Sequence, residues 1–252
     1  MDSLSTLLII SGFDPTSGAG LSRDVITARD CGVYPLSLPT VLTVQNSAQF
    51  LSSTPVDVGY IERAATLLFD EFSPAVCKVG LLPLESFDHL KTVSDIVDTH
   101  NLIAVVDPII KPTMALEKSV ITKHYIAFLR HKIITPNRKE AEILLEYHGK
   151  ESEKDDSALA LKLSELLQSS VVLTNGKKGV TVAHKGNSTH FPVKNIVITR
   201  EIHGTGCTFS TALASYLAQE FSLLDATAKT IVYVDKMVEN RVVRKESQQD
   251  YL

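Results

Sequence analysis

The chain has 252 residues, enough for one large α/β domain or two small ones with a substantial buried core. Hydrophobic residues make up 44% and charged residues 21%, which is typical of a globular protein and excludes a disordered or fibrous one. The net charge of −4 leaves no basic surplus to bind a phosphate backbone, so we expect no nucleic-acid partner.

Short apolar runs alternate with longer amphipathic stretches through the first two thirds of the chain. The runs that predict buried strands are Thr6–Ser11, Leu36–Val44, Ala75–Val79, Ile103–Asp107, Lys132–Thr135 and Val171–Thr174. Helical spacing of apolar residues predicts helices at Leu21–Asp30, Val56–Phe72, Leu84–His100, Arg138–Tyr147 and Asp156–Leu167. This alternation is typical of a mainly parallel sheet with helices on both faces.

The pattern changes after residue 170. Two strand-like runs, Gly179–Ala183 and Ser188–Val193, flank a turn signal and predict an antiparallel hairpin at one edge of the sheet. The remaining predicted elements are a strand-like run at Ile196–Thr199, helices at Thr205–Gln219 and Leu224–Val243, and a charged end, Arg241–Gln249, that we expect to fray. No linker or repeat interrupts the chain, so residues 1–252 are predicted to form a single domain.

The cysteines and the first residues bear on location. Cys31, Cys77 and Cys207 are an odd number without CxxC spacing, which indicates neither a disulfide framework nor a zinc site. The apolar run Leu7–Ile10 is too short for a signal peptide or a membrane span. We therefore expect a cytoplasmic protein with no membrane partner.

Residues 203–207 read His-Gly-Thr-Gly-Cys at the start of the late helix. Unbonded amides at a helix start attract anions, Gly204 and Gly206 let the backbone approach a phosphate, and Thr205 adds a hydroxyl donor. Cys207 lies in the first turn, where the helix dipole favours a thiolate, so it is a candidate catalytic base. A tight turn followed by a small core residue explains the same sequence equally well.

This segment resembles the GTGC signature of the hydroxymethylpyrimidine and phosphomethylpyrimidine kinases, a branch of the ribokinase superfamily. Residues 12–20, Gly-Phe-Asp-Pro-Thr-Ser-Gly-Ala-Gly, are similar to the G-x-D-P-S-G-G-A-G loop of the same family. The resemblance places Gly12 and Asp24 beside the substrate and implies a catalytic role for Cys207 with the Gly204–Cys207 turn. A strand-to-helix turn that contacts no ligand is the alternative for residues 12–20.

Two further segments correspond to the substrate side of that family. Leu42–Ser47 resembles its T-A-x-x-x-Q-N-T segment, in which Gln45 would bind the pyrimidine, since an amide presents a donor and an acceptor side by side. Gln45 capping the end of a strand is the alternative. Val79–Leu82 resembles the I-G-M-L turn, so Gly80 and Leu81 would form an apolar wall for the ring.

Three segments correspond to the nucleotide side. Asp107 ends a strand as in the family's V-x-D-P segment, and Asn137 and Glu140 match the superfamily motif T-P-N-x-x-E. The resemblance implies ATP and Mg²⁺ as cofactors, with Asp107 and Glu140 as the metal ligands. The spacing of Asn137 and Glu140 also describes a helix cap.

The third nucleotide segment is Thr174–Gly179, which resembles the T-x-G-x-x-G pattern of the wider superfamily, so Thr174, Gly176 and Lys177 are candidate ATP contacts. This sequence departs from the pyrimidine kinases at Asn175, which replaces a lysine that reaches the nucleotide phosphates. It departs again at Ile109–Met114, which lacks the glycine-containing flap pattern of the family.

The resemblance implies a ribokinase-like fold and the ATP-dependent phosphorylation of 4-amino-5-hydroxymethyl-2-methylpyrimidine, or of its monophosphate, in thiamine biosynthesis. It also implies a homodimer. Two alternatives stay open: a pyridoxal or pyridoxine kinase, because pyridoxal has a similar ring and hydroxymethyl group, and a pyrimidine-binding homologue with weakened catalysis, because of Asn175 and the altered flap.

Overall fold

The structure is a computed structural model that describes residues 5–46, 49–110, 121–194, 201–240 and 249–251, and only the backbone of 201–203 and 249–251. The strands are β1 (Thr6–Phe13), β2 (Tyr34–Gln45), β3 (Phe50–Pro55), β4 (Val76–Val79), β5 (Ile103–Val106), β6 (Ile133–Ile134), β7 (Ser170–Thr174), β8 (Val180–His184), β9 (Asn187–Phe191), β10 (Glu201–His203) and β11 (Gln249–Tyr251). The helices are α1 (Gly20–Asp30), α2 (Val58–Glu71), α3 (Phe87–Thr99), α4 (Lys123–Leu129), α5 (Arg138–Tyr147), α6 (Asp156–Leu167), α7 (Thr205–Ala218) and α8 (Leu223–Glu239).

Nine of the strands in these ranges form one sheet in the order β3-β2-β1-β4-β5-β6-β7-β8-β9. The six central strands, from β2 to β7 in that order, pair in parallel. Strand β3 is antiparallel to β2 at one edge, and β8 and β9 form an antiparallel hairpin at the other. The fold is therefore the predicted mainly parallel sheet with the predicted edge hairpin, and it has a second antiparallel edge that was not predicted.

Alternation along β1 divides the core into two layers. Leu8 and Ile10 are fully buried in the layer covered by α2 to α6, whereas Leu7 and Ile9 are fully buried against α1, α7 and α8. Buried apolar residues on successive strands explain why both faces carry helices. The carboxyl ends of the parallel strands, where α/β proteins bind ligands, are thus bordered by the starts of α1, α5 and α7.

The helix starts are fixed by local polar contacts. Six helices begin after a side chain that accepts a hydrogen bond from the backbone amide three residues on, and these N-caps are Asp57, Ser86, Thr122, Asn137, Asp155 and Ser222. Such caps satisfy amides that the helix itself leaves unbonded. None of the described helices has the length and apolar character needed to span a bilayer.

Most predicted elements are present, and two of the helices have the predicted bounds. Sequence analysis missed β3, because its side chains are almost all exposed and carry no apolar alternation, and it missed the short α4. The predicted run Ile196–Thr199 falls wholly on residues 195–200, which lie outside the described residues, as do 241–248. Gln249 pairs with Glu201 in a small parallel sheet, so this end of the segment expected to fray is a strand.

Candidate active site

The two glycine-rich segments touch each other, although nearly two hundred residues separate them. Gly204 precedes α7 with φ +86°, and a Cβ at this position would lie 1.9 Å from the carbonyl oxygen of Gly18. Gly20 has φ +61°, and its Cβ would lie 2.4 Å from the carbonyl oxygen of Gly12. Glycine at 204 is thus required by close backbone packing, a reason that sequence analysis did not identify.

The loop after β1 is held by its own aspartate. Asp14 is buried, and its carboxylate accepts hydrogen bonds from the amides of Thr16 and Ala19 at 2.9 and 3.1 Å and from the Thr16 hydroxyl. Arg23 Nε donates to the carbonyl oxygen of Ser17 at 3.2 Å. These bonds fix the loop against which the start of α7 packs.

Helix α7 begins at Thr205 without a side-chain cap, so its first amides have no side-chain partner in this turn. A Cβ at Gly206 would lie 3.6 Å from Asp107 Oδ2, which places this carboxylate directly beside the helix start. Thr208 is fully buried, and its hydroxyl finds no hydrogen-bond partner among the described residues. Amides at a helix start attract anions, and binding of a phosphate at this turn stays a prediction.

Cys207 was expected to be a thiolate because it lies at a helix start, but its pKa is raised and not lowered. Its side chain is buried, and burial raises the pKa of the thiol to about 12, although Lys78 and the Gly20 amide act in the lowering direction. The charges of Asp24 and Asp107 raise it further. The expected thiolate is therefore wrong for the free protein, because desolvation outweighs the dipole of the helix start.

Asp107 follows β5 and is 5% exposed, with Ser210 Oγ donating to Oδ2 at 3.3 Å. Burial raises the pKa of its carboxyl group to about 6; Lys78 lowers it and Asp24 raises it. Hydrogen bonds from Ser210 and Cys207 stabilise the ionised form. Asp107 thus contacts the first turn of α7 from the carboxyl end of β5, and its role toward phosphates or a metal stays a prediction.

Behind these residues lies a buried ion pair that sequence analysis did not identify. Lys78 on β4 and Asp24 on α1 are both fully buried, with Nζ and Oδ2 2.6 Å apart. Burial acts to lower the pKa of Lys78, but the negative charge of Asp24 and of its other neighbours outweighs it and raises the pKa. A lysine inside the apolar run Ala75–Val79 was the available signal.

Asp24, which was expected to contact the substrate, is buried and bonded to other side chains of the protein. Its Oδ1 accepts from Thr211 Oγ1 at 2.8 Å while Oδ2 accepts from Lys78, so both oxygens are occupied within the protein. Asp24 therefore joins α1, β4 and α7 behind the site.

Gly12, Gly80 and Leu81 lie together at the carboxyl ends of β1 and β4. A Cβ on Gly12 would lie 2.9 Å from Leu81 Cδ2, and a Cβ on Gly80 would lie 2.3 Å from Ser11 Oγ. Thr40 Oγ1 donates to the Leu81 carbonyl at 2.5 Å, which fixes the turn after β4. These close contacts bring the three residues together, and their contact with a ring stays a prediction.

Gln45 lies at the end of β2, where the pairing with β3 is irregular and Gln45 is opposite Phe50. Its side chain forms no hydrogen bond with the described residues. Thr43, on the same strand end, donates to the carbonyl oxygen of Phe13 at 2.8 Å and ties β2 to the loop after β1. Gln45 is thus next to that loop, and its role in substrate recognition stays a prediction.

Asn137 and Glu140 form the helix cap that sequence analysis gave as the alternative. Glu140 N donates to Asn137 Oδ1 at 3.0 Å, and Asn137 N donates to Glu140 Oε2 at 2.9 Å, which is a reciprocal capping box. Burial and the charge of Asp107 raise the pKa of Glu140 to about 8. Glu140 is therefore close enough to Asp107 to repel its charge.

This pair of carboxylates fits the predicted magnesium ion. A cation near both would offset their repulsion, and Glu140 keeps carboxylate lone pairs beyond the one used in the cap. The described residues contain no cluster of three or more His, Cys, Asp or Glu side chains that could hold a metal ion. Mg²⁺ ordinarily takes one or two carboxylates and fills its remaining positions with water and phosphate oxygens.

The nucleotide segment adjoins this pair. Thr174 at the end of β7 forms a β-bridge with Asn137, and its amide donates to the Pro136 carbonyl at 2.9 Å. Gly176 has φ +49° and open space where a Cβ would stand, and Lys177 is exposed. The structure thus brings Thr174 to Asn137 and leaves Gly176 and Lys177 at the surface.

Asn175, which replaces the lysine of the pyrimidine kinases, has a partner inside the protein. Its Nδ2 donates to Asp156 Oδ2 at 2.8 Å, and Arg138 pairs with the other oxygen of Asp156. Asn175 thus binds a side chain at the start of α6. The altered flap falls mainly on residues 111–114, which lie outside the described residues.

Comparison with known proteins finds the family that the sequence motifs resemble. The family model of phosphomethylpyrimidine kinase matches residues 14–250. The chain is 25% identical over 244 residues to the hydroxymethylpyrimidine/phosphomethylpyrimidine kinase of Staphylococcus aureus, covering 92% of this chain and 87% of that protein. It is 27% identical over 226 residues to the bifunctional thiamine biosynthesis protein ThiDN of Methanocaldococcus jannaschii, covering 87% of this chain and 50% of that one. The chain thus spans about half the length of several curated relatives that it matches.

Solved structures share the fold. The pyridoxal kinase of Staphylococcus aureus in complex with AMP-PCP has a TM-score of 0.84 at 22% identity, covering 99% of this chain and 93% of that one. The phosphomethylpyrimidine kinase of Clostridium difficile has a TM-score of 0.72 at 22% identity, covering 92% and 99%. These likenesses establish the ribokinase-like fold, and the family model covers nearly the whole chain. This chain therefore belongs to the phosphomethylpyrimidine kinase family.

Proposed function

We propose that this chain transfers the γ-phosphoryl group of ATP to 4-amino-5-hydroxymethyl-2-methylpyrimidine or to its monophosphate. The observation that carries this proposal is the meeting of the first turn of α7 with Asp107, and of Asp107 with Glu140, at the carboxyl ends of the parallel strands. Phosphoryl transfer depends mainly on positioning and on stabilising charge, which these groups provide. The family, and the thiamine biosynthesis proteins among its relatives, support the pyrimidine as acceptor.

In this mechanism the amides of Gly204–Cys207 stabilise negative charge on the transferred group. Thr174, Gly176 and Lys177 border the nucleotide, and Asp107 and Glu140 would hold Mg²⁺, which supplies charge neutralisation when bound. Gly12, Gly80 and Leu81 pack against the pyrimidine ring, and Gln45 hydrogen-bonds its polar edge.

The proton of the acceptor alcohol must leave as the new O–P bond forms and the bond to ADP breaks. Because burial keeps Cys207 protonated near neutral pH, it cannot take this proton alone. We place the route on two residues: the alcohol gives its proton to Cys207 Sγ while the thiol proton passes to Asp107, to which Cys207 donates a hydrogen bond. The hydrogen bond between Cys207 and Asp107 places the carboxylate within reach of that proton.

Pyridoxal is the second candidate acceptor. It carries a hydroxymethyl group on a similar ring, and the structural neighbours with TM-scores of 0.80 and 0.84 are pyridoxal kinases. A third reading, weakened catalysis, is favoured by Asn175, whose amide is bound to Asp156 and brings no positive charge toward a nucleotide.

The purified protein with ATP and Mg²⁺ is expected to release ADP when the pyrimidine alcohol is added, because the site combines a ring wall with an anion turn. A coupled ADP assay run in parallel with pyridoxal measures the preference, and ³¹P NMR identifies the ester. A higher kcat/KM for pyridoxal would replace the pyrimidine by the second candidate. Binding of the pyrimidine without ADP release would establish weakened catalysis instead.

Cys207→Ala is expected to lower kcat about 100-fold with little change in ATP affinity, because it interrupts the proton route but leaves the anion turn in place. Cys207→Ser keeps a hydroxyl relay and should recover part of the loss. Steady-state kinetics and calorimetric ATP binding on both variants measure this. Unchanged turnover in Cys207→Ala would reject the proton route.

We also propose that the protein is a homodimer through the β2–β3 edge of the sheet. Leu42, Val44 and Leu51 are 48%, 54% and 66% exposed there, and Leu42 and Val44 share one face of β2. Exposed apolar side chains beside an open strand edge mark an association surface.

The three free cysteines support a reducing compartment, and the cytoplasmic location stays a prediction.

Light scattering on a sizing column is expected to give twice the 27.6 kDa mass of the chain at micromolar concentration. Leu51→Asp should shift the protein to the monomer, because it places a charge in the proposed interface. Val232→Asp is the matched control. Val232 is 71% exposed on α8, which packs on α7 and not on the β2–β3 edge. A wild-type monomer, or equal effects of the two substitutions, would exclude this interface.

A further inference from the structure

Lys78 is the most unusual charged residue in the described part of the chain. Its side chain is fully buried on β4, and its Nζ lies 2.6 Å from Asp24 Oδ2, which is also fully buried. Removing both ions from water costs free energy that their attraction does not reliably offset, and apolar residues often give equal stability. Stability alone therefore does not explain why a lysine occupies this strand.

The ammonium group lies under the proposed site. A Cβ on Gly80 would be 2.7 Å from Lys78 Nζ, so the lysine is packed against the turn that forms the ring wall. The charge of Lys78 acts on Cys207 in the first turn of α7 and on Asp107 beside it. Because Lys78 is fully buried, it reaches the ligand through its electric field and through these residues, not by contact.

The ion pair with Asp24 fixes the position of the Lys78 ammonium group. Asp24 accepts hydrogen bonds from Lys78 Nζ and from Thr211 Oγ1 at 2.8 Å, which ties β4, α1 and α7 together. Thr211 lies one turn beyond Cys207 on α7. The positive charge is thus held in a set position relative to the helix start.

The local charges explain what this lysine would do. Asp24 and Asp107 both place negative charge beside the turn that is to receive a triphosphate. In a volume shielded from water, such charges act over several ångströms with little screening. A buried cation beside them restores a potential that favours an anion.

We propose that Lys78 is a positioning residue of the kinase reaction, a fixed cation beneath the first turn of α7 that favours the transferred phosphoryl group. The role of Lys78 in phosphoryl transfer rests on the proposed function. Its effect on phosphate binding does not, because a fixed cation should favour any phosphorylated ligand at this turn. It predicts a selective effect on phosphorylated ligands, which a purely structural ion pair would not have.

The test compares ATP with adenosine. Asp24→Asn combined with Lys78→Met removes both charges and retains similar volumes, so the melting temperature should stay within about 5 °C of wild type. Calorimetry should show adenosine affinity unchanged, ATP affinity about tenfold weaker and, in the coupled assay, kcat lowered about tenfold or more. Ser215→Ala is the matched control, because Ser215 is fully buried on α7 but donates only to the Thr211 carbonyl.

A second variant keeps the test decisive if the double variant does not fold. Asp24→Asn alone retains Lys78 and an oxygen that accepts its hydrogen bond, so the ratio of ATP to adenosine affinity should rise. A fall in that ratio, or a folded double variant with wild-type ratio and kcat, would overturn the proposal. A wild-type protein without turnover would refute the kinase function separately, while the affinity ratio would still decide the role of Lys78.

Discussion

The contact between the Gly204 α-carbon and the Gly18 carbonyl is the constraint on which the site depends. A Cβ at 204 would lie 1.9 Å from that oxygen, so the start of α7 reaches its place only with glycine there. The loop that presents Gly18 is in turn held by the buried Asp14. One end of the chain therefore positions the other, and the turn proposed to bind phosphate is a tertiary feature and not only a local one.

Burial of charge follows from this packing. Once α7 lies against the strand ends, Cys207, Asp107, Asp24 and Lys78 are removed from water together. The pKa values of Cys207 and Asp107 then rise because burial penalises their charged forms. Glu140 joins this group from α5, and its pKa rises to about 8 through burial and the charge of Asp107. In the free protein the carboxyl groups of Asp107 and Glu140 thus repel each other, and a bound cation would offset that repulsion.

The elements and their order were largely predictable from periodicity, because buried parallel strands are continuous apolar runs and their helices carry one apolar face. The bounds of α5 and α6 were predicted correctly since each starts at an Asn or Asp cap. Strand β3 was missed because its side chains are exposed and its pairing with β2, not its own pattern, makes it a strand.

Sequence reading gave a set of candidate site residues, whose roles stay predictions, but it did not give their ionisation or their buried partners. A helix start predicts a lowered thiol pKa for Cys207, whereas the surrounding α1, β4 and β5 bury the thiol and raise it to about 12. Asp24 was expected beside the substrate and lies behind the site, because its partner Lys78 comes from another strand. Such effects arise from residues far apart in sequence, which motif reading does not combine.

The most direct measurement of this account is the turnover of Gly204→Ala compared with that of Gly32→Ala. Both glycines have positive φ, +86° and +81°, but Gly32 has open space where the new Cβ would stand. Gly32→Ala should therefore cost about 1–2 kcal/mol of backbone strain, measured by urea denaturation, and Gly204→Ala should cost more because its Cβ also clashes with Gly18. Gly204→Ala alone should also lower kcat by about 100-fold or more, because the clash with Gly18 displaces the anion turn. Equal turnover in the two variants would contradict the account.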